Sequence, residues 1–433
     1  MDSDTTCNLD STCINSTIAA ADLEIPQRDP VTLPIEIWES IIDLVAYESL
    51  KYIPSSKERH RTLQACASTC RSWRYRSLYH LNSVVNFYDS SSVSRFLSRF
   101  PPPHNPANTV SIITSEDNNP YWASSVPIRI SSVMPQLHEV AIRDFDFNNA
   151  HPQFIPTLSL ARSVEELSLI GVTFASASQC RRVICAFRQL NWLRLERVDF
   201  PVIDVPTQVS RLRAPVVRKP YITYIGLYSY GRRRTSLPFL IDLFQPFVKT
   251  VEWLEIDEYW LSDHCVDSSR AFIQACKRLE IFELIPEVTY EYLDNLGSLD
   301  LSKNRRLKTL RMISEQEDGF IPFVSLFAQL LRTIRSPKFH SIHLRIPLGS
   351  VQSLSTIDWK SLDRVLGSKR FQTLEQICIV VQTFDGVFTY KLKVVLQQQF
   401  FFSELPPTSP PFNRHLHALF TAKDSCRNEY IYR

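Results

Sequence analysis

The residues that could do chemistry in this chain come in small, scattered groups. Cys66 and Cys70 stand four apart, so on a helix both thiols share a face and could begin a metal site. No CxxC pair exists anywhere in the sequence, and the two are read instead as small buried hydrophobes. Cys180 and Cys185 lie on a helix-like segment without a matching pair, and His340 and His343 have no cysteine partner at ligand spacing. His264-Cys265 is an isolated dipeptide, and a nucleophilic dyad needs a third group to orient the base. The run Gly231-Arg232-Arg233-Arg234-Thr235-Ser236 could hold an acidic or phosphorylated ligand. A short basic run of this kind is more often a solvated loop, and it is read as one. Glycines number 8 against 27 prolines, which argues against Gly-rich phosphate loops. With no nucleophile elbow or acid–base pair in sight, the expectation is a protein that is not an enzyme and carries no cofactor and no metal.

The elements that would position such residues fall into two kinds. A chain of 433 residues suits two or three domains, or one small domain and a repeat array. Hydrophobic residues at 44% can fill a large core. A formal charge of +3 with a pI near 8.3 gives little reason to expect nucleic acid. Ten scattered cysteines fit a reduced intracellular protein, in the cytoplasm, the nucleus or both. No long apolar run predicts a membrane span, and residues 1–30 read as a disordered leader without signal-peptide features.

Residues 31–88 read as a small helical domain. Pro34 suits the first turn of a helix, where its missing N–H has no partner anyway. Ile37, Ile41, Leu44 and Val45 recur at i, i+4, i+7 and i+8, while Trp38 and Ile42 widen the apolar surface. Such a helix packs on its own domain and on a partner. Residues 46–61 read as a polar loop broken by Pro54, and Leu63, Cys66 and Cys70 read as a second short helix. Trp73, Leu78 and Leu81 lie on a third segment ending in Val84, Val85 and Phe87.

From residue 89 to 385 the pattern changes. A motif of the form apolar-x-x-apolar-x-apolar starts at Ala107, Leu137, Val164, Leu190, Ile222, Val251, Leu279, Leu307, Phe339 and Leu374. Ten copies at a near-constant period are a repeat signal. Helix-like segments lie between them, for example Val93, Phe96, Leu97 and Phe100, or Leu240, Phe244 and Phe247. Each unit is then one strand and one helix, and neighbours must stack to bury both faces. The expected fold class is α/β: a three-helix domain, then an irregular solenoid with parallel strands inside and helices outside. Residues 386–433, with Gln397–Gln399, Phe400–Phe402 and a Pro-rich stretch, read as a cap or tail.

With these residues in hand, the N-terminal module resembles an F-box of the type found in mushroom-forming fungi. The resemblance rests on Leu33-Pro34 with Glu36-Ile37, on Leu63 and Cys66, and on Cys70-Arg71-Ser72-Trp73, and it covers about fifty residues. The array resembles leucine-rich repeats, without the regular Asn that follows the strand in standard versions. The loop at 46–61 is longer than in the commonest F-boxes. The resemblance implies a substrate-receptor subunit of a Skp–cullin–F-box ubiquitin ligase. The partners it implies are the Skp-family adaptor, through it cullin, and a protein substrate. Matching positions for adaptor contact are Leu33, Pro34, Ile37, Ile41, Leu63, Cys70 and Trp73. A second reading stays open: a repeat scaffold whose F-box is vestigial or serves a non-degradative complex.

Strand alternation makes a further prediction. Motif positions 1, 4 and 6 face the core and positions 3, 5 and 7 the opposite, concave face. Trp192, Tyr224 and Trp253 occupy position 3 of consecutive units and should form an exposed aromatic row, flanked by Arg194, Glu255, Asp257 and Glu283. Exposed aromatics flanked by charge suit protein binding. A one-residue slip in register would send all three inward.

Overall fold

Pro54 decides the layout of the helical region. Proline cannot continue a helix and disfavours helical backbone at the residue before it. Helix α1 (Ile35–Lys51) stops short of it, and α2 (Ser56–Thr69) starts just beyond. The computed structural model describes residues 34–51, 56–99, 107–114, 120–200, 220–229, 243–261, 265–285, 299–313, 320–348, 359–383 and 389–395. Most of the loop expected at 46–61 is therefore helix, with only 52–55 outside α1 and α2. Pro34 lies just ahead of α1, and its carbonyl accepts from the Ile37 N–H at 3.1 Å. Helix α3 (Arg71–Ser83) follows α2 after a break at Cys70. The chain divides into two compact units, Met1–His80 and Leu81–Arg433.

In the second unit each of the ten motifs supplies a strand at positions 3 to 7. They are β2 (Thr109–Ile113), β3 (Glu139–Arg143), β4 (Glu166–Ile170), β5 (Trp192–Glu196) and β6 (Tyr224–Tyr228). Then come β7 (Trp253–Asp257), β8 (Ile281–Ile285), β9 (Thr309–Ile313), β10 (Ser341–Leu348) and β11 (Gln376–Thr383). Two further strands flank them. β1 (Val84–Phe87), which lies within the 31–88 stretch expected as helical domain, pairs in parallel with β2. β12 (Thr389–Val395) pairs antiparallel with β11. Sheet order follows chain order from β1 to β12.

The period is enforced by main-chain hydrogen bonds at motif position 2. The Asn108 carbonyl accepts from the N–H groups of His138 and Glu139 (2.7 and 3.0 Å), and the His138 carbonyl from those of Glu165 and Glu166 (2.9 and 3.0 Å). This double bond repeats at each step as far as His340, which receives Glu375 and Gln376. Positions 1, 4 and 6 lie in one continuous core, as in Val164, Leu167 and Leu169. The helices cover that side. They are α4 (Ser90–Arg99), α5 (Val126–Ser131), α6 (Phe154–Leu158), α7 (Ala177–Ala186), α8 (Val266–Ala275), α9 (Phe320–Thr333) and α10 (Trp359–Leu366). Val93 and Phe96 of α4, and Cys180 and Val183 of α7, sit in the core as their helical spacing requires. Leu240 lies outside the described residues, while Phe244 and Phe247 are buried.

The missing Asn ladder has a main-chain substitute. Asp144, Gly171 and Arg197 each follow a strand at the same motif position, and all three have positive φ (52°, 64° and 52°). Their N–H groups donate to the carbonyls of Ile170, Glu196 and Tyr228 on the next strand, at 2.8 to 2.9 Å. A second short ladder then joins Asp146, Thr173 and Asp199. Glycine suits position 171 doubly, because a Cβ there would also collide with the Asp144 carboxylate. Three residues further on, Phe147, Phe174 and Phe200 stack as a spine, with ring centroids 4.3 and 5.9 Å apart.

Candidate functional site

Helix α1 buries one stripe and exposes another. Ile42 is 1% exposed and Ala46 2%, against 44% for Ile37, 39% for Ile41 and 60% for Leu44. The exposed three are spaced i, i+4, i+7, so they form one ridge opposite the buried face. Helix α3 repeats the arrangement: Ser77 and His80 are buried, while Tyr75, Leu78 and Tyr79 are exposed.

The two helices are held by specific contacts. Trp38 meets Trp73 with ring centroids 4.6 Å apart, and both are half-buried. Asp43 accepts a bidentate pair of hydrogen bonds from Arg76, both at 2.6 Å, and lies 2.7 Å from His80 Nε2. The Arg76 hydrogen bonds hold the Asp43 carboxyl below its ordinary range, partly opposed by desolvation. Nothing in the apolar spacing of the sequence flagged this triad. Its signal was an acid on the inner side of α1 facing a basic pair at i, i+4 on α3.

Six of the seven residues assigned to partner docking are described, and they differ in exposure. Ile37, Ile41 and Pro34 are exposed on or beside α1, and Trp73 is half-buried. Leu63 is 0% exposed and serves the core of the helical unit, so it does not belong to a docking surface. Cys70 is exposed rather than buried, because it occupies the break between α2 and α3, where its carbonyl accepts from the Arg74 N–H. Leu33 lies outside the described residues.

On the sheet unit the predicted register holds. Trp192 pairs with Tyr224, and Tyr224 with Trp253, on three neighbouring strands. Trp192 stacks on Tyr224 with centroids 3.7 Å apart, and Trp253 meets the two edge-on at 5.3 and 5.1 Å. The row is less exposed than expected. Tyr224 is only 4% exposed, because bulky rings on strands this close cover one another. Trp192 and Trp253 remain half-buried.

Around the rings lies a charged network. The Tyr224 hydroxyl donates to Glu255 Oε2 at 2.6 Å and is 3.3 Å from the Tyr228 hydroxyl. Burial pushes both phenols well above their ordinary range. Arg194 lies over the Tyr228 ring at 4.6 Å and donates to Glu196 at 3.0 Å. Arg311 lies over the Trp253 ring at 5.0 Å and reaches Glu283 at 3.5 Å. Glu283 is 5% exposed, and burial and then Glu255 push its carboxyl up to about 7.

Gly226 makes this packing possible. A Cβ there would stand 2.6 Å from the Tyr224 hydroxyl oxygen and 3.0 Å from Tyr228. A glycine in mid-strand, in a chain with so few, was the available sequence signal.

Among the described residues no three His, Cys, Asp or Glu gather as a metal site, and no helix is long and apolar enough to cross a membrane. The strand register does place Cys378 beside His343, a neighbour that linear spacing hid. Residues 231–236 and His264 lie outside the described residues.

No protein-family model matches the chain, and no curated protein matches it. Among solved structures it is similar to the leucine-rich repeat-containing protein LegL7 from Legionella pneumophila. That match has 13% identity and a TM-score of 0.37, covering 72% of this chain and 98% of the other.

Proposed function

We propose that this chain is a substrate receptor of a Skp–cullin–F-box ubiquitin ligase. In this reading the helical unit docks the Skp adaptor and the sheet unit holds a protein substrate. The chain does no bond chemistry itself; other subunits deliver ubiquitin. The observation that carries the reading is the exposed ridge of Ile37, Ile41 and Leu44 on α1, accompanied by Tyr75, Leu78 and Tyr79 on α3. A unit this small leaves so many large apolar side chains in water only at a cost, and a partner that covers them removes that cost. Each large side chain buried in this way could contribute about 1.5–3 kcal/mol before the costs of association. The ridge coincides with Ile37 and Ile41, two of the positions that match adaptor contacts in F-boxes. The thiols of Cys66, Cys70, Cys180 and Cys276 are free, which suits the cytoplasm or nucleus where such ligases work.

The alternative, a repeat scaffold with a vestigial F-box, drew on the long loop at 46–61. Helices α1 and α2 take up most of that stretch, and adaptor binding separates the two readings. The test is co-expression of the full-length chain with a Skp adaptor, followed by co-purification. Wild type should carry adaptor in equal amount, and Ile37→Asp with Ile41→Asp should carry none while remaining folded by circular dichroism. Adaptor retained by the folded double variant would refute docking through this ridge.

A further inference from the structure

Helix α3 has an exposed stripe made of arginines and large apolar side chains. Arg71, Arg74, Tyr75, Leu78 and Tyr79 are all exposed at i, i+3, i+4, i+7 and i+8, so they share one face. The helix reads RSWRYRSLYHLNS and carries no carboxylate of its own. The acids of α1 that act on it, Asp43 and Glu39, act on Arg76. Among the described residues neither Arg71 nor Arg74 forms an ion pair. The chain ahead of α1 carries the complementary charge. Residues 1–30 hold six carboxylates (Asp2, Asp4, Asp10, Asp22, Glu24 and Asp29) and one basic side chain, Arg28, so six less one leaves five negative charges in excess. Asp22 and Glu24 alternate with Leu23 and Ile25. That chain also meets the helices in a suitable place. It joins them at Pro34, and four residues on, Trp38 meets Trp73 in the first turn of α3 with ring centroids 4.6 Å apart. The Asp43–Arg76 contact lies further along both helices, so α1 and α3 run side by side with their first turns together.

We infer that residues 22–29 dock in cis on the α3 stripe, their carboxylates on Arg71 and Arg74, and Leu23 and Ile25 against Tyr75, Leu78 and Tyr79. The stripe from Arg71 to Tyr79 is about 12 Å long. Asp29 and Asp22 stand five and twelve residues before Pro34, an extended reach of about 16 and 40 Å, which covers the whole stripe. Carboxylate–guanidinium pairs supply the charge match. A tether this short keeps the segment at an effective concentration on the order of millimolar, which favours it over a free polyanion, nucleic acid included. The consequence for docking rests on the substrate-receptor reading: an adaptor that covers Tyr75, Leu78 and Tyr79 must first displace the segment.

The experiment uses the full-length chain with Arg71→Lys and Arg74→Lys, which keep both charges and supply amines. Carbodiimide then joins each new amine to any carboxylate in direct contact, and mass spectrometry identifies the joined peptides. The expected product is a monomer in which position 71 or 74 is joined to Asp22, Glu24 or Asp29, with a yield that falls at least about fivefold in about 1 M salt. Joining only to carboxylates outside residues 22–29, joining to them only within a dimer, or a yield indifferent to salt would each overturn the inference. A second arm measures affinity for a purified Skp adaptor. Asp22→Asn with Glu24→Gln and Asp29→Asn should raise it about tenfold by removing the competitor, and unchanged affinity would overturn the competition. Cross-linking as expected with no adaptor bound by any variant sinks the docking reading alone. Adaptor binding with no cross-link to residues 22–29 sinks the cis contact alone.

Discussion

The two units treat large apolar side chains in opposite ways. In the sheet unit they alternate inward along every strand, and rings that point to the other face pack against each other. In the helical unit, α1 and α3 each bury a narrow stripe and leave Ile, Leu and Tyr in water on the other side. Stability explains the first pattern: a repeat array holds together only through the core shared between neighbours. It does not explain the second, since an exposed Leu44 contributes little to folding. The difference teaches that most large apolar side chains of the array serve its own core, while the helical unit leaves a set of them in water.

The largest effect expected from breaking this comparison is in the array's core. Phe174 is the middle ring of the Phe147–Phe174–Phe200 spine and is fully buried. Phe174→Ala should cost about 3–5 kcal/mol in urea unfolding of the full-length chain, from lost burial and the cavity left behind. A cost below about 1 kcal/mol would show that the spine carries no load.

Next comes the concave face. Gly226→Ala forces the Tyr224 ring to move and strains its bond to Glu255, at a cost of about 1–3 kcal/mol. Glu283 supplies a pH signature there. Its folded carboxyl keeps a proton up to about 7, against an ordinary value of 4.5. Between those values the folded chain binds more protons than the unfolded one, so stability falls as pH rises through that window and levels off above it. The swing is on the order of 1–3 kcal/mol. Glu283→Gln should flatten the change in urea midpoint between pH 5 and pH 8, and an unchanged slope in the variant would assign it to another group.

Smaller effects belong to the helical unit. Asp43 sits below its ordinary value of 3.8, so its contribution is present above that value and fades as pH falls through the lowered one. Asp43→Asn should cost about 0.5–1 kcal/mol at neutral pH, because the pair with Arg76 is about one-third exposed. Its helix signal by circular dichroism should then lose sensitivity to acid below pH 4. Smallest of all, Leu44→Asp should change folding stability by less than about 0.5 kcal/mol. A loss of several kcal/mol there would mean that the ridge is core after all.

Much of the array was legible because one rule repeats. Strand alternation at positions 1, 4 and 6 fixed the register of β2 to β11, and with it the meeting of Trp192, Tyr224 and Trp253. What the rule omitted was whatever lies beyond its six positions. The Phe147, Phe174 and Phe200 spine occupies the eleventh position of three successive units, within reach of the same alignment. The left-handed turn at Asp144, Gly171 and Arg197 was hidden because two of the three residues are not glycine. An Asn ladder is a side-chain feature, whereas here main-chain N–H groups bridge neighbouring strands. In the helical unit, apolar spacing found the α1 ridge, but composition misled at 46–61, where charged residues continue a helix. Burial was the weaker inference throughout: Leu63 is core, Cys70 is exposed, and Tyr224 lies beneath its neighbours. Periodicity says which face a residue takes, while packing decides how deep it sits.

The most direct test of the docking claim compares exposed apolar residues from the two units. Ile37→Asp with Ile41→Asp removes the α1 ridge, and Leu160→Asp changes a residue of the sheet unit that is equally exposed. Affinity of each full-length variant for a purified Skp adaptor is measured by biolayer interferometry. The account predicts that the α1 variant loses at least about a hundredfold in affinity while Leu160→Asp binds like wild type. Wild-type affinity in the α1 variant, or an equal loss in both, would contradict it.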